Sequence, residues 1–141
     1  MQGGFRDKPA RAPGYDQAAR SVACMAKTIE NSKIKPVSMK SVGFYVLAPQ
    51  SQIEKGLFAD QLLKTNIREK ISTRIKQYKN DLVTYTMLQR FDEEFIEPLL
   101  QEISIKSVKY EELIKCLDTD SKEKEKIWIY YKNCLKYNGL T

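Results

Sequence analysis

The densest group of chemically able side chains is the acidic run Asp92, Glu93, Glu94 and Glu97. Carboxylates crowded in this way are the donors that hard cations such as Mg²⁺ take. On an α-helix, however, successive residues diverge by about 100°, so only Glu97 with Glu93, or Glu97 with Glu94, would converge. Arg90, four residues before Glu94, favours a solvated acidic face over a cation site. Cys24 shares the polar face of its segment with Arg20 and Lys27, a setting that lowers a thiol pKa. It has no base beside it, because the chain contains no histidine. That one absence removes Ser-His-Asp and Cys-His catalysis, His-ligated zinc and imidazole proton transfer. Cys24, Cys116 and Cys134 leave one thiol over under any disulfide scheme, so they read as small apolar residues in a reducing compartment. Gly3-Gly4 and the isolated Gly14, Gly43 and Gly56 match no phosphate-cradling loop. No catalytic residue, metal ligand or cofactor is assigned from these residue types.

The last group with chemical potential is aromatic. Trp128, Tyr130, Tyr131 and Tyr137 alternate with Lys126, Lys132 and Lys136. Bases can stack on such a set. At helical spacing the set more simply describes a helix packed on the core, and exposure of part of it would point equally to a protein partner or a nucleic acid.

The elements that must position these residues follow from periodicity. Residues 1–14 carry no apolar period and read as an irregular or disordered arm. A helix follows from about Asp16 to Asn31, with Ala18, Val22, Met25, Ala26 and Ile29 on one face and Gln17, Arg20, Cys24 and Lys27 opposite. The small residues on its apolar face suit close approach to a sheet. Residues 41–48 form the clearest strand, β-branched, aromatic and stopped by Pro49. A strand apolar on both faces is expected at the centre of a sheet, covered on both sides. Ser51-x-x-Glu54 and Asn66-x-x-Glu69 have the form of capping boxes, the first opening a short helix towards Phe58. Behind the second, Ile67, Ile71, Ile75 and Tyr78 keep a helical period, flanked by Lys70 and Arg74 on one side and Arg68 on the other. A further helix begins near Leu82, with Pro98 expected to bend or end it. Residues 103–108 alternate as a strand with one wet face. Short and long helices at about 110–117 and 121–137 complete the chain, the last closing on Asn138-Gly139. The fold class expected is α/β: a small sheet packed with about five helices, in a single domain over residues 15–141.

The whole chain has 141 residues, 42% apolar and 30% charged, with a net charge of +6. That is enough for one domain. The charge is uneven: net +5 over residues 1–40, +4 over 41–90 and −3 over 91–141. A basic front half can follow a phosphate backbone, so Arg11, Arg20, Lys27, Arg68, Lys70 and Arg74 are the candidate contacts to DNA or RNA. No run approaches the roughly 20 apolar residues of a membrane span and none resembles a signal peptide, which leads to an expected cytoplasmic location and no membrane partner.

Three pieces carry a family resemblance: residues 13–26 (PGYDQAARSVACMA), 43–49 (GFYVLAP) and 108–114 (VKYEELI). Together they resemble the C-terminal half of a PD-(D/E)XK, restriction-endonuclease-like nuclease domain, over about residues 13–117. The resemblance implies a core of helix, three strands, helix and strand. In such proteins an Asp and a Glu-x-Lys on the second and third strands bind Mg²⁺ and activate water on a phosphodiester. It also places Tyr15 and Gln17 beside that site. This chain contains no Glu-x-Lys, and its one Asp-x-Lys, Asp120-Ser-Lys122, falls at a helix start. The strands that would bear the catalytic residues would precede Met1. The expectation is therefore a fragment or degenerate domain, catalytically silent, with nucleic-acid contact through its basic half. A second copy or a partner chain would complete the sheet. The alternative is a protein-interaction module working through the C-terminal aromatic helix and the acidic stretch at 92–97.

Overall fold

The computed structural model describes residues 16–140. The arm predicted at 1–14, with Arg11 and Tyr15, lies outside the described residues. Helix α1 runs Gln17–Asn31 and is capped by Asp16, whose Oδ1 accepts from the Ala19 backbone N–H at 3.0 Å. Its buried residues are Ala18, Ala19, Val22, Ala26 and Ile29, the predicted face with Ala19 added. Helix α3 (Lys64–Lys76) buries Ile67, Ile71 and Ile75. The small face of α1 lies mainly on α3 and on the turn at 92–96 rather than on the sheet, so alanine here serves close helix–helix approach. Ile96, Leu99, Leu100 and Ile103 complete this main core. Each such side chain contributes about 1.5–3 kcal/mol by leaving water.

The sheet has two strands among the described residues, β1 (Gly43–Ala48) and β2 (Ser104–Lys109). They run parallel, with Phe44 opposite Ile105 and Leu47 opposite Val108. The mixed α/β class and both strands thus match the expectation, but the burial of β1 does not. Phe44, Val46 and Ala48 face inward, the last two against Phe58, Ile53 and Leu57. Tyr45 and Leu47 face outward and are 50% and 41% exposed. The outer face of β1 is therefore apolar and uncovered, not central. The Tyr45 ring folds back over Gly43 so closely that a Cβ there would lie 2.3 Å from its Cε2. Glycine at 43 gives the ring a place to lie.

Two helix starts differ from the capping-box expectation. Helix α2 spans Gln50–Glu54 and begins directly after Pro49, with no side-chain cap of its own. The Gln50 backbone N–H donates instead to Glu111 Oε2 at 2.9 Å, sixty-one residues away in sequence. Asn66 sits inside α3, its Nδ2 donating to the Asp60 carbonyl at 2.7 Å. Pro98 neither ends nor interrupts its helix. Helix α4 (Leu82–Phe91), capped by Asp81, passes through a π-helical turn at Asp92–Ile96 into α5 (Glu97–Glu102). In that turn the Glu97 N–H reaches back to the Asp92 carbonyl. The widened turn just ahead of Pro98 makes room for a ring that would otherwise press on the carbonyl four residues back. Beyond β2 come α6 (Tyr110–Cys116) and α7 (Ser121–Tyr137). Asp120 caps α7 by accepting from the Glu123 N–H at 2.9 Å. At its other end Gly139 takes a φ of +65° and Leu140 N–H donates to the Leu135 carbonyl, so Asn138-Gly139 closes the helix as expected.

Candidate functional site

Helix α7 has a stripe at Ile127, Tyr131, Cys134 and Leu135, yet every residue of the helix remains at least partly exposed. The expectation that its aromatics pack into the core is overturned. Its main packing partner is α6, and none of its residues joins the main core. Tyr130 is 72% and Tyr137 92% exposed. Helix α6 and the Leu117 cap that ends it present Tyr110, Leu113, Ile114 and Leu117 at spacings of three, four and seven, a stripe like that of α7. Between the two stripes lies a groove of about 510 Å³ whose walls are almost wholly apolar. Pro49 and Tyr110, at the ends of the two strands, line its near end.

One carboxylate fixes this arrangement. Glu111 Oε1 accepts from the Tyr131 hydroxyl at 2.6 Å while its Oε2 accepts from the start of α2. Tyr131 also meets the rings of Tyr110 and Trp128, each with centroids 5.9 Å away. Burial and the bond to Glu111 push the Tyr131 hydroxyl pKa well above its ordinary value, so it stays a donor. Beside the junction, Lys109 donates to Glu54 Oε1 at 3.1 Å and, with Gln50, holds that carboxyl below its usual range. Sequence reasoning missed Glu111 because its two partners are remote in the chain and leave no local signal.

The candidate nucleic-acid contacts do not form one basic stripe. Arg68 is shared by Asp92 and Glu97, each at 2.7 Å. Lys70 pairs at 2.5 Å with Asp16, which is fully buried. Arg74 donates to Gln77 and to the Tyr78 hydroxyl and stacks over the Tyr78 ring. Lys27 pairs with Glu30 and lies 5.6 Å from the centroid of Phe91. Arg20 is exposed on the polar face of α1. Gln17, also exposed there, donates to Ser21 Oγ at 3.4 Å.

The acidic run behaves differently from its helical prediction. Asp92 and Glu97 converge, five residues apart, because the π turn brings i and i+5 together. They close on a guanidinium, which occupies the place a cation would take. Glu94 pairs with Arg90 at 2.7 Å, as its spacing suggested. Among the described residues no group of three His, Cys, Asp or Glu side chains could hold a metal ion, and Asp120 is engaged as a helix cap. The described residues do not supply the carboxylate set of the Mg²⁺ site that the resemblance implies. The cysteines are not core residues either: Cys24 and Cys116 are exposed and Cys134 half-buried beside the groove. Among the described residues no helix is long and apolar enough to cross a membrane. Compared with protein-family models, curated proteins and solved structures, the chain matches none.

Proposed function

We propose that this chain is a protein-interaction module that takes an amphipathic helix of a partner in the groove between α6 and α7. The observation that carries this reading is the groove itself: two helical stripes face one another across about 510 Å³ of apolar space. Sites that accept anchoring groups have volumes of roughly 300–1,000 Å³. Amphipathic helices dock in such grooves by residues at i, i+3, i+4 and i+7. The exposed side of α7 supplies lysines at 126, 132 and 136, which suit an acidic flank on the incoming helix. Trp128, the chain's single tryptophan, reports on the groove through its contact with Tyr131. A synthetic helical peptide with leucines at those four spacings and glutamates beside them should shift Trp128 emission saturably. Leu113→Asp should abolish the shift. An unchanged emission spectrum would remove this reading.

A second reading is favoured by β1, which is apolar on its outer face and pairs on one edge only among the described residues. Here the chain is the incomplete nuclease-like domain that the resemblance implies, its sheet extended by a partner chain. Arg20 and Lys27 on α1 would then contact nucleic acid. This reading gains if labelled duplex DNA binds with a steep salt dependence. Purified chain with plasmid and Mg²⁺ should give no nicking. Metal-dependent cleavage that survives clean controls sinks this second reading.

A further inference from the structure

We propose that α7 is a hinged arm, which leaves α6 and unwinds as one unit while the main core stays folded. This goes beyond the groove reading and does not depend on what the groove takes. Helix α7 has 17 residues and none of them is buried, whereas α3 buries Ile67, Ile71 and Ile75 within 13. Its packing partner α6 has seven residues and buries only Ile114. Where the groove lies between them, about 510 Å³ of space separates side chains that would otherwise pack. The helix is also a poor one by itself. Ile127, Trp128, Ile129, Tyr130 and Tyr131 at its centre are all β-branched or aromatic, types that lose side-chain freedom in a helix. Isolated helices near this length are marginal in water even when built of better formers. Ile129 and Tyr130 are 54% and 72% exposed, so docking on α6 does little for them. Away from α6 the segment therefore unwinds.

The hinge is the connection at 117–120, where Leu117, Asp118 and Asp120 are exposed. The latch is Tyr131, whose hydroxyl donates to Glu111 at 2.6 Å and whose ring meets that of Tyr110. Nearer the hinge, Lys124 Nζ donates to the Lys115 carbonyl at 3.3 Å. When Tyr131 leaves, Glu111 Oε2 keeps its bond to the start of α2, so opening does not unpick the rest of the fold. Local opening of this kind is drawn from elements with few buried apolar contacts and solvent-exposed backbone. The open form lacks one wall of the groove. The hinge therefore sets the fraction of chains able to bind there.

Native-state hydrogen exchange on the full chain tests this. Amides 127–135 of α7 should share one protection factor, about a hundredfold or more below those of Ile67, Ile71 and Ile75 in α3. Ile67→Ala weakens the main core, which the open form keeps. It should therefore speed exchange in α3 by about thirtyfold or more and leave α7 unchanged. If that variant does not fold, Ile71→Val makes the same comparison at about three- to tenfold. Tyr131→Phe removes the latch and should speed exchange in α7 by about tenfold. It should speed α3 equally, because the bond is absent from the open and the unfolded chain alike. Equal protection in α7 and α3 overturns the proposal. So does an equal loss in both on weakening the core, since α7 then opens only when the whole chain unfolds. Protection that falls only near Tyr137, with the centre of α7 as protected as α3, is fraying of a helix end and overturns it too.

Discussion

Asp16 is the one fully buried charged residue among those described, and both of its oxygens are used, one on the α1 cap and one on Lys70. Truncating a buried partner leaves an uncompensated charge, so Asp16→Ala should lower unfolding stability in urea by about 3 kcal/mol. Asp16→Asn keeps an acceptor for the Ala19 N–H and should cost less. Glu111 holds a comparable place at the groove, joining α2 and α7. Glu111→Ala should destabilise by about 2 kcal/mol, the scale of hydrogen bonds to a charged group, and should shift Trp128 emission without any ligand. Tyr131 makes a pH-dependent contribution. Its folded pKa lies above the ordinary 10.0, so the folded chain holds this proton more tightly than the unfolded one. That stabilisation is complete below about pH 10 and is lost as pH climbs towards the raised value. Thermal melts taken from neutral pH to about pH 11 should fall more steeply for wild type than for Tyr131→Phe.

At the scale of elements, local signals were legible where local chemistry decides the outcome. The apolar face of α1, the isoleucine period of α3, both strands and the Gly139 closure of α7 all follow from residues within a turn or two of one another. What escaped the sequence was set by distant partners or by departures from ideal geometry. The start of α2 is satisfied from α6, and the convergence of Asp92 with Glu97 depends on a π turn that no spacing rule at 100° per residue contains. The groove between α6 and α7 was half legible. Its aromatic stripe on α7 was evident, but helical spacing describes a buried and an exposed stripe alike, and only tertiary packing separates them. The contrast between α3 and α4 makes this measurable. Ile67→Ala removes a fully buried side chain and should cost about 2–5 kcal/mol, whereas Met87→Asp on the outer side of α4 should change stability by no more than about 0.5 kcal/mol.

The whole molecule has two unequal parts. Helices α1, α3 and α4–α5 share the main core with the inner face of the sheet, while α6 and α7 stand at the far end of β2 around open apolar space. The net charge of +6 first suggested a phosphate backbone, but Lys27, Arg68 and Lys70 are each paired with a carboxylate within the chain. Beside these pairs, Leu113, Leu117 and Tyr130 are left exposed around the groove. The most direct measurement is a methyl NMR spectrum of isoleucine- and leucine-labelled chain, recorded with and without the acidic leucine peptide. Binding in the groove should shift Leu113, Ile114, Leu117, Ile127 and Leu135 together while Ile67 and Ile71 in the main core stay unmoved. Unmoved groove methyls, with duplex DNA instead perturbing residues along α1, would contradict it.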